Sequence, residues 1–518
     1  MSSRKNIQQK MLLVSGSTLV SRLLGVAREL LWSRYLGVGI LSDAFFTAYK
    51  IPNSLRKVFA EGALSAAFIP TIVQTVRLKG RDSVGELMAI AFLIFEGFVL
   101  IATSFAMYYA DTIIHLIAGG FSETQIHIAT PWLQILMPFI FFISSSALLA
   151  GALQSVNHFF VPAFSPALLN VFFIGGTIFC MAFQLPITYL CWFILGGGAL
   201  QLLWHIATYI QLGFTWGPIT LQGVKQFKST LIKFILCLPA TGVEELNLLI
   251  NTSFASYLPV GSISLINYAN RFAHLPQGVF GHAISTILLP HFSKISSYAP
   301  KRLSFYLLES AKLIVWFMLP VTIFMSLFAS KIFITIYLSD KFTLSQAYQA
   351  GLILQIYLLG LICIALNKIM RIMFYSQHNT WVPTVISIAS VGINYLANTY
   401  LATPLQAPGL ALATLLSTIT QSILFVFFLK TQFNLTLYCG QLMHFVARYI
   451  LQLSLLFIPF GLVYYGIHTA IMHQSAYCSH LLLNTIAFWF WISPLCALFA
   501  WSIFKLRRSF NMHLHFID

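Results

Sequence analysis

Between Met11 and Pro70 the sequence is apolar enough to enter a membrane, yet its charged side chains include Arg22, Arg28, Glu29, Asp43, Lys50, Arg56 and Glu61. Such a group at the centre of a bilayer costs roughly 2.5–3.5 kcal/mol, so it persists where it lines a wet cavity, pairs with another charge or meets a charged ligand. Arginine presents a planar fork of donors that matches phosphate in bidentate fashion. Arg22, Arg28 and Arg56, with Arg271 farther along, are therefore a candidate cradle for an anionic cargo. On an ideal helix Arg22 and Glu29 share a face and can pair, whereas Arg28 points about 120° away from Arg22. Either the helix breaks near Gly25 or it borders a wide cavity. Pro52, between Lys50 and Arg56, is expected to disturb its helix. The competing reading is that these cations snorkel to the headgroups, with Asp43 or Glu61 as plain ion-pair partners.

The elements that hold these groups must be membrane spans. The chain has 518 residues, 58% of them hydrophobic and 8% charged, against about 25% charged in soluble domains. Its mean hydropathy is +0.83. The expected class is an all-α polytopic membrane protein. A helix needs about 20 apolar residues to cross the hydrocarbon. Spans are expected at 11–34, 43–70, 87–109, 130–151, 160–182, 187–210, 230–256, 264–290, 312–336, 347–374, 382–402, 408–429, 447–470 and 482–504, fourteen in all. Spans one, two, seven, eight and ten are the least apolar. With a cytoplasmic N-terminus, Lys and Arg fall in alternate loops, and Lys341 is the exception on the other side. The positive-inside rule then places both termini in the cytoplasm.

A net charge of +16 does not point to nucleic acid, because no Lys or Arg occurs between Arg81 and Lys225 and the cations sit at or inside spans. The seven cysteines form no CxxC pair and read as small buried hydrophobes, without a disulfide framework or zinc site. The N-terminal segment reads as an uncleaved first span. No GxSxG, HExxH or P-loop is present, so an enzyme or an ATP-driven pump is not expected.

The chain also repeats itself. Lys50 and Arg271 stand 221 residues apart, and Ala63-Leu-Ser65 before Pro70 returns as Ala283-Ile-Ser285 before Pro290 at an offset of 220. A six-helix unit copied once gives two lobes of like orientation related by an axis along the membrane normal. The expected organisation is an N-terminal lobe at 1–222, a C-terminal lobe at 223–432 and a helix pair with a tail at 433–518. Two lobes facing a central cavity suit alternating access. In span seven, Glu244 and Glu245 are candidates for binding a coupling cation or shuttling a proton. Glu96, alone in span three, reads as a packing or pairing residue, and Asn367, Lys368 and Arg371 read equally as a headgroup anchor.

Several of these stretches resemble a known family. Ser21-Arg22-Leu-Leu-Gly25-Val-Ala-Arg28, Asp43-Ala-Phe-Phe, Ile51-Pro52-Asn53-Ser-Leu-Arg56 and Phe59-Ala-Glu61-Gly62-Ala63 look like the N-terminal signature of the MurJ/MviN lipid II flippases. Those proteins belong to the multidrug/oligosaccharidyl-lipid/polysaccharide exporter superfamily. Val161-Pro162-Ala-Phe-Ser-Pro166 with Leu169-Asn170, and Tyr268-Ala-Asn270-Arg271 with Leu275-Pro276-Gln-Gly278, extend the likeness over nearly the whole chain. The resemblance implies fourteen helices, a cationic cavity, and a polyprenyl tail lying against the last two helices. By motif position it implies substrate contacts at Arg22, Arg28, Arg56, Arg271, Ser21 and Lys50, supported by Glu29, Asp43 and Glu61. It implies movement of lipid II to the outer leaflet of the bacterial inner membrane for cell-wall synthesis. The expected partners are lipid II, membrane lipids and cell-wall synthesis proteins. Some members carry acids where this chain has Asn251, Asn394 and Asn398, which puts their sodium site in doubt here. No cofactor is expected, and the coupling is open among membrane potential, protons and sodium. The rival readings are an O-unit translocase, whose cargo is also a polyprenyl diphosphate, and a cation/drug antiporter, whose cavity needs acids.

Overall fold

In the computed structural model, residues 2–59, 65–80, 83–278, 292, 302–377, 379–433 and 438–515 are described. Glu61 lies outside them, as do the repeat landmarks at 63–64 and 283–290. Among the described residues the fold is helical, with one isolated bridge between Ser339 and Phe342. Lipid cannot hydrogen-bond a peptide group, so each span must satisfy its backbone internally, and a helix does so.

The chain divides into two compact units, residues 1–264 and 265–518. The first contains α1 (Ser2–Leu36), α2 (Ile40–Arg56), α3 (Ser65–Lys79), α4 (Ser83–Ala91), a π-helical turn (Phe92–Glu96), α5 (Gly97–Tyr108), α6 (Ala110–Ile117), α7 (Glu123–Leu136), α8 (Phe139–Ser155), α9 (Phe160–Ala182), α10 (Ile187–Gln211) and α11 (Leu221–Ser256). The helix α12 (Ser262–Pro276) carries the chain into the second unit. There follow α13 (Leu303–Leu327), α14 (Ala329–Ile336), α15 (Leu344–Leu359), α16 (Leu361–Ser376), α17 (Trp381–Phe433), α18 (Cys439–Met472), α19 (Ala476–Asn484) and α20 (Ala487–Leu506).

Among the described residues nine helices are long and apolar enough to cross a membrane. They coincide with expected spans three to six and nine to fourteen, because α17 contains two. Gln406 interrupts it with φ 53°, between Pro404 and Pro408. Proline lacks the N–H that the ladder needs, so two prolines four residues apart end one span and begin the next. Ser390 and Ser417 then bond across the fold-back at 2.7 Å. Spans one, two, seven and eight fall outside the nine, and these are the spans that hold the candidate site residues Ser21 through Arg56, Glu244, Glu245 and Arg271.

The first compact unit runs to Ser264, and α11 is bound into it. Phe227 and Phe234 are buried against Phe95, with ring centroids 5.5 and 4.7 Å away, in a core shared with Phe68, Met88, Leu148 and Tyr209. Thr71 and Thr230 meet at 3.2 Å, and the Ser256 hydroxyl accepts from the Gly120 N–H at 3.0 Å. In the second unit α18 and α20 pack on α13 around Trp316, Tyr449, Phe460, Phe488 and Phe499. The Tyr449 hydroxyl donates to the Trp316 carbonyl at 2.7 Å, and Gln452 donates to the Ile503 carbonyl at 3.0 Å.

Three local expectations need correction. The first helix does not break near Gly25, since α1 is continuous from Ser2 to Leu36. α2 also runs through Pro52, and the departure from α geometry comes later, as a π-helical turn at 57–59. Asn367 is buried and bonds to the Thr418 carbonyl, Gln421 and Ser422, so it clamps α16 to α17 rather than reaching for headgroups.

Candidate functional site

The two arginines of α1 have different surroundings, and helix geometry explains why. Ser21, Arg28 and Trp32 share the face that packs on α9, where Asn170, Phe173 and Thr177 recur at helical spacing. Arg28 is 8% exposed. Its guanidinium donates to Glu29 at 2.6 Å and to the Asn170 Oδ1 at 3.1 Å. It also stacks over the Trp32 ring at 4.6 Å and faces the Phe173 ring at 5.7 Å. The Asn170 amide in turn donates to the Ser21 carbonyl at 3.0 Å, and the Trp32 Nε1 donates to Thr177 at 3.1 Å. Arg28 is therefore the centre of a buried polar seam between two helices. Arg22, off that face, is partly exposed and makes no hydrogen bond or ion pair among the described residues. The expected Arg22–Glu29 pair is not formed, because the neighbouring Arg28 reaches the carboxylate first.

α2 presents a row of cations toward α11. Lys50 and Lys57 are seven residues apart, as are Thr252 and Glu245 on α11. The Lys50 Nζ donates to the Thr252 hydroxyl at 2.7 Å, and Lys57 pairs with Glu245 at 2.9 Å. Lys57 does not snorkel away from the protein, since a buried carboxylate lies within its reach. Arg56 is partly exposed and donates through Nε to Asn53 at 3.1 Å.

Asp43, in the first turn of α2, is 3% exposed. Its carboxylate accepts from the Gly261 N–H at 2.6 Å, from the Ser264 N–H at 2.8 Å and from the Ser264 hydroxyl. It thereby satisfies backbone donors at the start of α12 that have no helical partner. Asp43→Ala orphans two buried N–H groups at about 1–3 kcal/mol each. Thermal unfolding of the purified variant is expected to show a clear loss, with Asp43→Asn in between; an unchanged midpoint would contradict this role.

The remaining candidates are dispersed. Glu245 is committed to Lys57, and its neighbour Glu244 is exposed. Asn394 and Asn398 lie in the second unit, fully buried on α17, where the Asn398 amide donates to the Asn394 Oδ1 at 2.8 Å. Among the described residues no group of three His, Cys, Asp or Glu side chains is placed to hold a metal ion. Glu96 is buried in the π-helical turn and accepts from Ser144 at 2.8 Å. Arg271 belongs to the second unit, partly exposed on α12 between Tyr268 and Phe272. Those two rings pack on Phe333, Tyr337 and Phe342. The sequence reading did not single out Trp32, Thr177 or Thr252. Asn170 carried a signal, as a lone amide in an apolar span.

Comparison with known proteins shows the family in which this arrangement occurs. The family model described as "Lipid II flippase MurJ" matches residues 32–486. The chain belongs to the MurJ lipid II flippase family. It is 32% identical over 409 residues to the lipid II flippase MurJ of Burkholderia cenocepacia, covering 77% of this chain and 79% of that one. It is 31% identical over 424 residues to the probable lipid II flippase MurJ of Buchnera aphidicola subsp. Acyrthosiphon pisum, covering 79% and 81%. Its fold matches a solved lipid II flippase MurJ in an inward closed conformation, with a TM-score of 0.78, 25% identity and coverage of 96% and 99%. An inward-facing multidrug resistance MATE family transporter shares the fold alone, at a TM-score of 0.69 and 14% identity. As a MurJ-family protein the chain is a multi-pass lipid II flippase that serves peptidoglycan synthesis. Ser21, Arg22, Arg28 and Glu29 lie ahead of the matched stretch, whereas Asp43, Lys50, Arg56 and Arg271 lie within it.

Proposed function

We propose that the chain moves lipid II from the cytoplasmic to the outer leaflet of the bacterial inner membrane by alternating access, with both termini in the cytoplasm. The lobe division proposed is that of the internal repeat, 1–222 and 223–432, with the pair at 433–518 guiding the polyprenyl tail. Arg22, Arg56 and Lys50 are assigned to the diphosphate and sugar-peptide head in the first unit, and Arg271 in the second is assigned a further contact. Arg28, with Ser21 and Glu29, positions α1 against α9. Asp43 organises the turn into α12.

The observation that supports this assignment most is the contrast on α1: Arg28 is engaged by Glu29 and Asn170, while Arg22 has no hydrogen-bonding partner among the described residues. An unpaired guanidinium in a span is retained where an anion comes to it. Neutralising the diphosphate lowers the energy of carrying it through a low-dielectric interior. Glu245 is assigned to Lys57 and not to coupling, because its charge already balances that lysine. Membrane potential or protons are the proposed drive.

The test is reconstitution in liposomes with labelled lipid II, under imposed potential, proton and sodium gradients in turn, alongside rescue of a flippase-depleted cell. Transport of lipid II driven by potential or protons is the expected result. Transport of an O-unit lipid but not lipid II, or a strict sodium requirement, would count against the proposal.

A further inference from the structure

At one end of the second unit, α13, the start of α18 and the chain beyond α20 line an open pocket of about 580 Å³. Its wall carries Lys312, His444, Arg448 and His513, with the Phe445 ring as an apolar side. Lys312 lies 6.0 Å from that ring's centroid and is held at 2.7 Å by Glu309. Glu309 also accepts the His515 N–H at 3.1 Å, and it does not line the cavity. The tail is fixed there because Met512 and Leu514 are fully buried among the α13, α18 and α20 side chains. Arg448 contributes one long bond, at 3.4 Å, to the Asn511 carbonyl, and its side chain is otherwise exposed.

The cavity is thus built by a folded tail around two permanent cations and two histidines, against a single carboxylate held outside it. None of these four side chains is assigned to the diphosphate or the sugar-peptide head. We infer that the pocket is a binding site for the phosphate of an anionic glycerophospholipid headgroup. The cations supply the phosphate contacts, and basic pockets between membrane helices near the aqueous boundary recognise such headgroups. A lipid fits better than free phosphate for two reasons. The volume exceeds what one phosphate fills, and the outer face of α18 beyond Arg448 is aliphatic. Ile450, Leu451, Leu455 and Ile458 are each at least half exposed there, which suits an acyl chain continuing from a bound headgroup. The bound lipid would tie the tail and α18 to α13, independently of which cargo is moved.

The experiment uses the full chain in phosphatidylcholine nanodiscs, with labelled phosphatidylglycerol titrated in and retained lipid measured. Removing both charges in Lys312→Gln/Arg448→Gln is expected to weaken retention about fivefold per charge, or on the order of 25-fold together. Lys312→Arg/Arg448→Lys should retain it. Because Lys312→Gln leaves Glu309 unpaired, Arg448→Gln alone is the second variant, and it should show the single fivefold loss with an unchanged unfolding midpoint in phosphatidylcholine. Inorganic phosphate at millimolar concentration should not displace the lipid. Equal retention by wild type and both Gln variants would overturn the site. Displacement by phosphate alone would overturn its assignment to a lipid.

Discussion

Arg28→Ala is expected to destabilise the first unit by about 3–5 kcal/mol, the usual loss when one partner of a buried ion pair is removed. The variant leaves the Glu29 carboxylate, itself 8% exposed, without its 2.6 Å partner. It also deprives Asn170 of a donor and removes the cation from the Trp32 face. Transport measured on this variant alone is uninformative, because both a cargo contact and a helix clamp predict its loss. Adding Glu29→Gln removes the charge that Arg28 balanced. The double variant Arg28→Met/Glu29→Gln is therefore expected to recover most of the midpoint in thermal unfolding, since replacing a whole buried pair by groups of similar volume is often close to neutral. If Arg28 is a positioning residue, the double variant also recovers flipping in lipid II liposomes to within several-fold of wild type. A double variant that unfolds like wild type and flips nothing would mean that Arg28 touches the cargo.

How far the sequence foretold this depends on the residue. The polytopic helical class follows from apolar runs with few charges, and the division of α17 follows from Pro404 and Pro408, which no continuous helix accommodates. The less apolar spans were also legible, since only a chain with partners for them keeps Arg28, Asp43 and Lys50 in lipid-length segments. The partners themselves were not. Helical spacing placed Glu29 on the face of Arg22, yet a guanidinium on a flexible stem reaches its immediate neighbour. Asn170, Thr252 and Ser264 lie 142, 202 and 221 residues from the side chains they bind. Which helix lies beside which is decided by tertiary packing, and one-dimensional spacing carries no trace of it. The expected boundary at 222 and the compact division differ for a similar reason: Phe227, Phe234 and Glu245 of α11 find partners in the first unit.

Arg22→Ala is expected to do the reverse of Arg28→Ala, leaving the fold intact and slowing transport. Arg22 has no hydrogen bond or ion pair among the described residues to lose, so its removal should change stability by no more than about 0.5 kcal/mol. Its guanidinium is expected to make charge-assisted bonds to the diphosphate, worth about 1.5–3 kcal/mol. Their loss corresponds to flipping slowed on the order of 10- to 150-fold. Arg22→Lys keeps the charge but not the planar fork, so an intermediate rate is expected. Arg271→Ala, on the second unit, should resemble Arg22→Ala in rate if it too meets the cargo. The two single variants and the double variant, each checked for its unfolding midpoint before transport is measured, form a cycle. Losses that fail to multiply would mean that the two arginines are coupled in transport, and losses that multiply would mean that they act independently. Normal flipping by Arg22→Ala would remove the physical basis for treating this side chain as the anion's first contact.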